Sequence, residues 1–306
     1  MHREIVKCKT DVVFKKLFTE NFDVLKSFLS DILEIPYESI TDIVIENSEI
    51  LPDEMDGKFT RFDMKLTVDD KLVNVEMQVI NHGDFRERSL YYWAQRYGRQ
   101  LKKGQLYTEL HPTISINIVN FSMFKAKSYC SEYTMANLET GEILTNKCKM
   151  YFFELPKLDK TYDANDRKKS WMQLINSESE EELDMLTQQT AAPGIQRGAI
   201  ILREYSEDEM LRRMSERSEE RLRNELSAMH YWKTEGFTLG RAEGRAEGRA
   251  EGRAEGRAEG RAEGEIKGII NTYREFGISE QDALQKLMQK TGLPENEALE
   301  KLRLYW

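Results

Sequence analysis

The sequence predicts an α/β fold, a mixed sheet with helices on its faces, followed by an all-helical C-terminal extension. Three observations carry this. Aromatic and β-branched residues concentrate before about residue 156, whereas Glu, Arg, Lys, Gly and Ala dominate from about residue 203. Within the first part, hydrophobic periodicity switches between helical and strand spacing in the order α, β, β, β, α, β. At 306 residues the chain is long enough for one substantial core and an appendage.

Residues 11–33 place apolar side chains at 14, 17, 18, 22, 25, 28, 29 and 32, the spacing of one helix with a buried stripe, and Pro36 stands just past its end. Residues 40–51 read as a strand, and 59–68 and 71–80 as two more joined by Asp69-Asp70. Helical period returns over 84–104 and stops at Gly104. Residues 112–121 alternate and are β-branched, so they form a strand, and 149–156 add another. After Pro156 the pattern is helical, with Trp171 and Leu174 in one segment, and 203–235 is a long charged helix. Arg-Ala-Glu-Gly then repeats six times over 241–264. Residues 265–276 are helical up to Gly277, Ser279 is an N-cap for 280–290, and Gly292–Pro294 precede a last short helix. The expected organisation is a domain over 1–202, a charged helix over 203–240, the repeat over 241–264 and a small helical module over 265–306.

Composition narrows the function classes. Three cysteines (Cys8, Cys130, Cys148) with no CxxC pair argue against a disulfide framework or a structural zinc site and suit a reducing compartment. There is no 18-residue apolar run and no apolar stretch in the first ten residues, so a soluble, cytoplasmic protein with no membrane partner is expected. A net charge of −9 is the wrong sign for a general phosphate binder, so any basic surface must be local.

Chemistry concentrates on the hairpin. With Asp69-Asp70 as a two-residue turn, Asp63 lies opposite Glu76, Lys65 opposite Asn74 and Arg61 opposite Gln78. The other face carries Phe62, Met64, Leu66 and Val68 against Met77, Val75, Val73 and Lys71, and belongs to a core. Directly opposed carboxylates have Cβ atoms about 4.5–5.5 Å apart and repel. Either this polar face is solvated, or a divalent cation relieves the repulsion; Mg²⁺ takes one or two carboxylates and fills its octahedron with water and phosphate oxygens.

The helix at 84–104 is expected to bury Leu90, Ala94, Tyr97 and Leu101. Arg88, Tyr92, Arg96, Arg99 and Lys103 then fall within an arc of about 80° on the opposite side, flanked by Arg86 and Lys102. No acidic residue occurs between Glu87 and Glu109. That face is either the ordinary charged exterior of a surface helix or a phosphate-binding face, with Arg88, Tyr92 and Arg96 nearest the hairpin. Glu20 is an additional ligand or an exposed capping acid, and His82, after the third strand, is a titratable group or a solvated turn residue.

Several segments together resemble the PD-(D/E)xK nuclease superfamily, and more narrowly the Rpn family of recombination-promoting nucleases (PD-(D/E)xK family transposases). They are DVVFKKLF over 11–18, RFDMK over 61–65, VEMQ over 75–78, ERSLYYW over 87–93, PTISI over 112–116 and FELPK over 153–157. The likeness spans roughly residues 8–235. It implies a restriction-endonuclease-like core with Asp63, Glu76 and Gln78 as catalytic residues and Asp63 and Glu76 as metal ligands. It further implies Mg²⁺ as cofactor, with Ca²⁺ as an added stimulant, and DNA as partner. Gln78 stands where the wider superfamily has lysine, a change usual in the narrower family that removes a cation from the site. The implied activity is metal-dependent DNA endonuclease action that promotes recombination. The alternative is a non-catalytic DNA-binding or interaction protein that keeps the nuclease fold, its tail setting assembly.

In the repeat, a period of four drifts about 40° per unit on an α-helix, which favours right-handed winding of a stripe. Glycine at every fourth place costs about 1 kcal/mol relative to alanine, and like charges meet at i, i+4. A flexible linker and a self-associating helix both fit; we read it as a marginal helix that orders on partner contact. The module at 265–306 suits homo-oligomerisation through the C-terminal helices.

Overall fold

Strand β3 (Lys71–Gln78) sets the frame of the first unit, because it alternates Val73, Val75 and Met77 with Asn74, Glu76 and Gln78 and buries both sets. A strand buried on both faces is a central strand with layers on either side. The computed structural model describes residues 4–46, 63–159, 161–163 and 165–306, with the side chain of Asp63 outside the description. The chain divides into two compact units, Met1–Ser227 and Ala228–Trp306.

In the first unit β1 (Ile43–Glu46), β2 (Asp63–Val68) and β3 form an antiparallel meander. Beyond β3 lie β4 (Thr113–Val119) and β6 (Cys148–Glu154), both parallel to their neighbour, and β5 (Cys130–Tyr133) closes the edge antiparallel to β6. The sheet is mixed, with order β1-β2-β3-β4-β6-β5. Strand β5 is not among the expected elements; four residues, Cys-Ser-Glu-Tyr, on a half-exposed edge carry too little alternation to announce a strand. Residues 47–62, which include the expected ends of two strands together with Arg61 and Phe62, lie outside the described residues.

One sheet face is covered by α1 (Asp11–Thr19), α2 (Phe22–Leu33), α4 (Arg167–Asn176) and α6 (Pro193–Glu207). Phe14, Phe18, Phe28 and Trp171 interlock there, with ring centroids 4.8–6.3 Å apart. The single helix expected over 11–33 is two. Asn21 ends the first by donating Nδ2 to Leu17 O at 3.0 Å, and the displaced Phe22 is exposed. The charged helix expected from 203 is also interrupted. Helix α6 ends at Glu207, and Asp208 caps α7 (Glu209–Glu275) by accepting from Leu211 N at 3.0 Å. Between α4 and α6 stands α5 (Glu180–Gln189), capped by Ser179. The opposite sheet face is covered by α3 (Phe85–Gly98).

The second unit packs the end of α7 with α8 (Glu280–Thr291) and α9 (Glu295–Tyr305) around Ile270, Ala283, Leu287, Ala298 and Leu302. Ser279 caps α8 by accepting from Asp282 N, and Gly277 and Gly292 take positive φ at the two helix stops. Residues 241–264 are helical within α7 and exposed. No helix among the described residues is long and apolar enough to cross a membrane.

Candidate active site

The hairpin register is the expected one: Asp63 pairs with Glu76, Lys65 with Asn74 and Val68 with Lys71. The Asp69-Asp70 turn holds this register although it lacks glycine. Asp69 sits at φ 51°, and its Oδ1 accepts from Thr41 N (2.9 Å), Thr41 Oγ1 (2.8 Å) and Asp42 N (3.0 Å). These donors, Thr41 foremost, hold its carboxyl below the ordinary carboxylate range. Met64, Leu66, Val68, Val73, Val75 and Met77 are all buried in the main core.

On the other hairpin face the polar side chains of β3 are buried. Glu76 is 6% exposed, and Asn74 and Gln78 are buried beside it. The polar row continues onto β4, where Glu76 pairs with Asn117 and Asn74 with Ser115, both buried. Asn117 donates Nδ2 to Tyr151 O (2.9 Å), and Ser115 Oγ lies 3.1 Å from Asn117 Oδ1. Burying this many polar groups is costly unless each finds a partner, and among the described residues α3 supplies two such partners, Arg88 and Arg96.

Helix α3 is turned differently from expectation. Its buried residues are Phe85, Ser89 and Trp93, while Leu90 is 51% exposed, Ala94 is exposed and Tyr97 and Leu101 are half-buried. The expected stripe requires an apolar sheet beneath the helix. The sheet is apolar only under Phe85 and Trp93, which meet Val119, Cys148 and Phe152, and it is polar under the hairpin. Arg88 and Arg96 therefore face the sheet. Arg88 Nη2 donates to Gln78 Oε1 (3.0 Å) and Glu76 Oε1 (3.3 Å). Arg96, 10% exposed, donates to Asn74 Oδ1 (2.5 Å), Glu46 Oε1 (2.6 Å) and Leu66 O (2.7 Å). Burial lowers the Arg96 pKa, with Glu46 opposing the shift.

Tyr92, Arg99 and Lys103 are the remaining residues of the expected phosphate-binding face. Tyr92 is half-buried, its ring 5.7 Å from that of Tyr91. Arg99 is exposed at the end of α3, and because the helix stops at Gly98, Lys103 is exposed in the following turn rather than on the helical face. Glu20 is exposed and paired with Lys16 at 2.6 Å, and His82 is exposed with Nε2 3.5 Å from Glu225.

Local sequence patterns do not single out Glu46, Ser115 or Asn117. The alternation Thr113-Ser115-Asn117 between isoleucines is the available signal, since register extends the Glu76 face onto that strand. Glu154, buried at the end of β6, accepts from Phe124 N (3.1 Å) and pairs with Lys157, which donates to Phe124 O (2.7 Å) and Ala126 O (2.6 Å). The FELPK segment thus fixes the loop after β4.

The donors suit a hard divalent cation. Gln78 gives its Nε2 to Ile80 O at 2.9 Å and its Oε1 accepts from Arg88 Nη2, the donor it shares with Glu76 Oε1, while the register brings Asp63 opposite. Among the described residues there is no cluster of three or more His, Cys, Asp or Glu side chains that would hold a metal, and the Asp63 side chain is not among them.

A family model described as PD-(D/E)XK nuclease family transposase matches residues 8–231. No curated protein and no solved structure matches the chain. The six-stranded mixed sheet, with an acid on β2 facing Glu-x-Gln on β3, is the core over which that model aligns. The chain belongs to the PD-(D/E)XK nuclease family transposases.

Proposed function

We propose that the protein is a metal-dependent DNA endonuclease that promotes recombination, hydrolysing phosphodiester bonds at Asp63, Glu76 and Gln78. One observation carries this: the hairpin register that sets Asp63 across from Glu76 on a sheet face whose polar residues are buried under a basic helix. Asp63 and Glu76 would hold Mg²⁺, with the Gln78 carbonyl beside them. The ion, when bound, supplies charge stabilisation at the phosphoryl group. Arg88 contacts one Glu76 oxygen, Oε1, and Asn117 and Ser115 hold the adjoining strand face without adding charge. Arg99 and Lys103 are exposed and suit the DNA backbone, with Arg88, Tyr92 and Arg96 closer to the scissile position. Assembly through the C-terminal helices is part of the same proposal.

The decisive experiment is nicking of supercoiled plasmid with Mg²⁺, with and without added Ca²⁺, for the wild type and Asp63→Ala. The wild type should nick and the variant should not. The Arg88–Glu76 contact favours the second reading, a non-catalytic DNA-binding protein, which predicts plasmid binding with equal, background nicking in both.

A further inference from the structure

Two arginines of α3 reach the hairpin, and they do so in different ways. Arg96 spreads two guanidinium nitrogens over three acceptors at 2.5–2.7 Å, the geometry of a structural clamp. Arg88 uses a single nitrogen, Nη2, for both Gln78 Oε1 (3.0 Å) and Glu76 Oε1 (3.3 Å). Its Nε is buried without a hydrogen-bond partner, and its guanidinium lies 5.0 Å from the Phe85 ring centroid. The side chain is 20% exposed, against 8% for Glu76. Arg88 is therefore not forked onto the carboxylate, and its side chain keeps some exposure to solvent. A buried donor left unsatisfied is a cost that needs a reason.

The reason lies on β3. Gln78 offers an amide whose Nε2 is already committed to Ile80 O, so the strand itself brings no positive charge next to Glu76. Arg88 brings that charge from the neighbouring layer. We propose that Arg88 is a resident cation of the Glu76 site: a positioning residue that helps to balance the carboxylate when no divalent ion is present and yields it when one binds. This rests on the metal-dependent reading above. It separates Arg88, which exchanges, from Arg96, which does not.

The test is Mn²⁺ binding by the full-length chain, followed by electron paramagnetic resonance of the free ion. It compares wild type, Arg88→Met, Arg88→Gln, Arg88→Lys and Glu76→Gln. Removing a positive charge beside the carboxylate should tighten Mn²⁺ binding roughly tenfold in Arg88→Met. Arg88→Gln should do the same while keeping a donor for Gln78, which covers the case in which the methionine variant fails to fold. Arg88→Lys should stay close to wild type, and Glu76→Gln should lose the site. Adding Gln78→Lys to Arg88→Met should return the affinity toward wild type, because it restores the cation from the strand side.

If Arg88→Met and Arg88→Gln bind Mn²⁺ as the wild type does while Glu76→Gln does not, Arg88 is only a structural contact; the proposal fails and the nuclease reading stands. If no Glu76-dependent site appears in the wild type or the Arg88 variants, the nuclease reading fails and takes the proposal with it. If the Arg88 variants bind and the wild type does not, Arg88 does not yield the carboxylate to metal, and both the exchange and the metal-dependent reading of the wild type fail.

Discussion

The two faces of β3 are buried to nearly the same extent and do opposite work. Val73, Val75 and Met77 belong to the main apolar core together with the phenylalanines and Trp171, where packing decides the energy. Asn74, Glu76 and Gln78, on alternate positions of the same strand, meet two arginines, and hydrogen bonds and charge decide. Burial alone therefore does not distinguish scaffold from site in this sheet. The distinction lies in whether the covering helix brings carbon or guanidinium, and it follows from a one-residue step along the strand.

Two substitutions on opposite faces should separate these roles most strongly. Glu76→Gln keeps shape and removes the charge, and by the proposal above it should cut plasmid nicking by a factor on the order of 10³, the worth of several kcal/mol of charge stabilisation. Its urea-unfolding midpoint should stay near that of the wild type. Leu66→Ala, on the apolar face of β2, should do the reverse, costing about 3 kcal/mol of stability with nicking per folded molecule unchanged. Equal losses of stability in both variants would mean that the polar face is scaffold as well.

A smaller effect tests how tightly the apolar side is closed. Gly194, in the first turn of α6, faces α2, and a Cβ there would fall 2.2 Å from Ser27 Oγ and 2.3 Å from Ser27 Cβ. Rotating the hydroxyl away does not relieve the second contact. Gly194→Ala should destabilise the first unit by about 1–3 kcal/mol, read as a lower melting temperature. A neutral result would show that α6 can shift on α2 at little cost.

How much is legible in the sequence follows from the same contrast. Strand alternation and the two-residue turn specify the hairpin register, so residue order alone sets Asp63 opposite Glu76, and the apolar face follows from the same count. The orientation of α3 cannot be read that way. Its own apolar residues point to one buried stripe, but a helix over a polar sheet turns toward the partners that satisfy that sheet, and Arg88 and Arg96 prevail over Leu90. Ser115 and Asn117 escape a local reading because their meaning depends on parallel pairing with β3, a long-range fact that alternation within one strand does not contain. The break at Asn21 is hidden because its side chain serves the carbonyls that a continuing helix would have served.

The smallest predicted effect probes what keeps the two faces from exchanging. A slip of one residue between β2 and β3 would send Glu76 into the core, and the turn resists it through Asp69, whose Oδ1 gathers two amides and a hydroxyl from Thr41 and Asp42 at the entry to β1. Those donors depress the Asp69 pKa, so the carboxylate form is the stabilising one. The contribution is present above the unfolded value of about 3.9 and is lost as pH falls through the lower folded value. Asp69→Asn keeps an acceptor oxygen and removes the charge. It should therefore be less stable than wild type at pH 7 by under about 1 kcal/mol, since the group lies near solvent. The difference should shrink as urea titrations are taken below the unfolded value of about 3.9, and vanish once the pH is below the lower folded value. A difference that persists unchanged at low pH would assign the effect to hydrogen-bond geometry, and the charge on Asp69 would then have no part in holding the register.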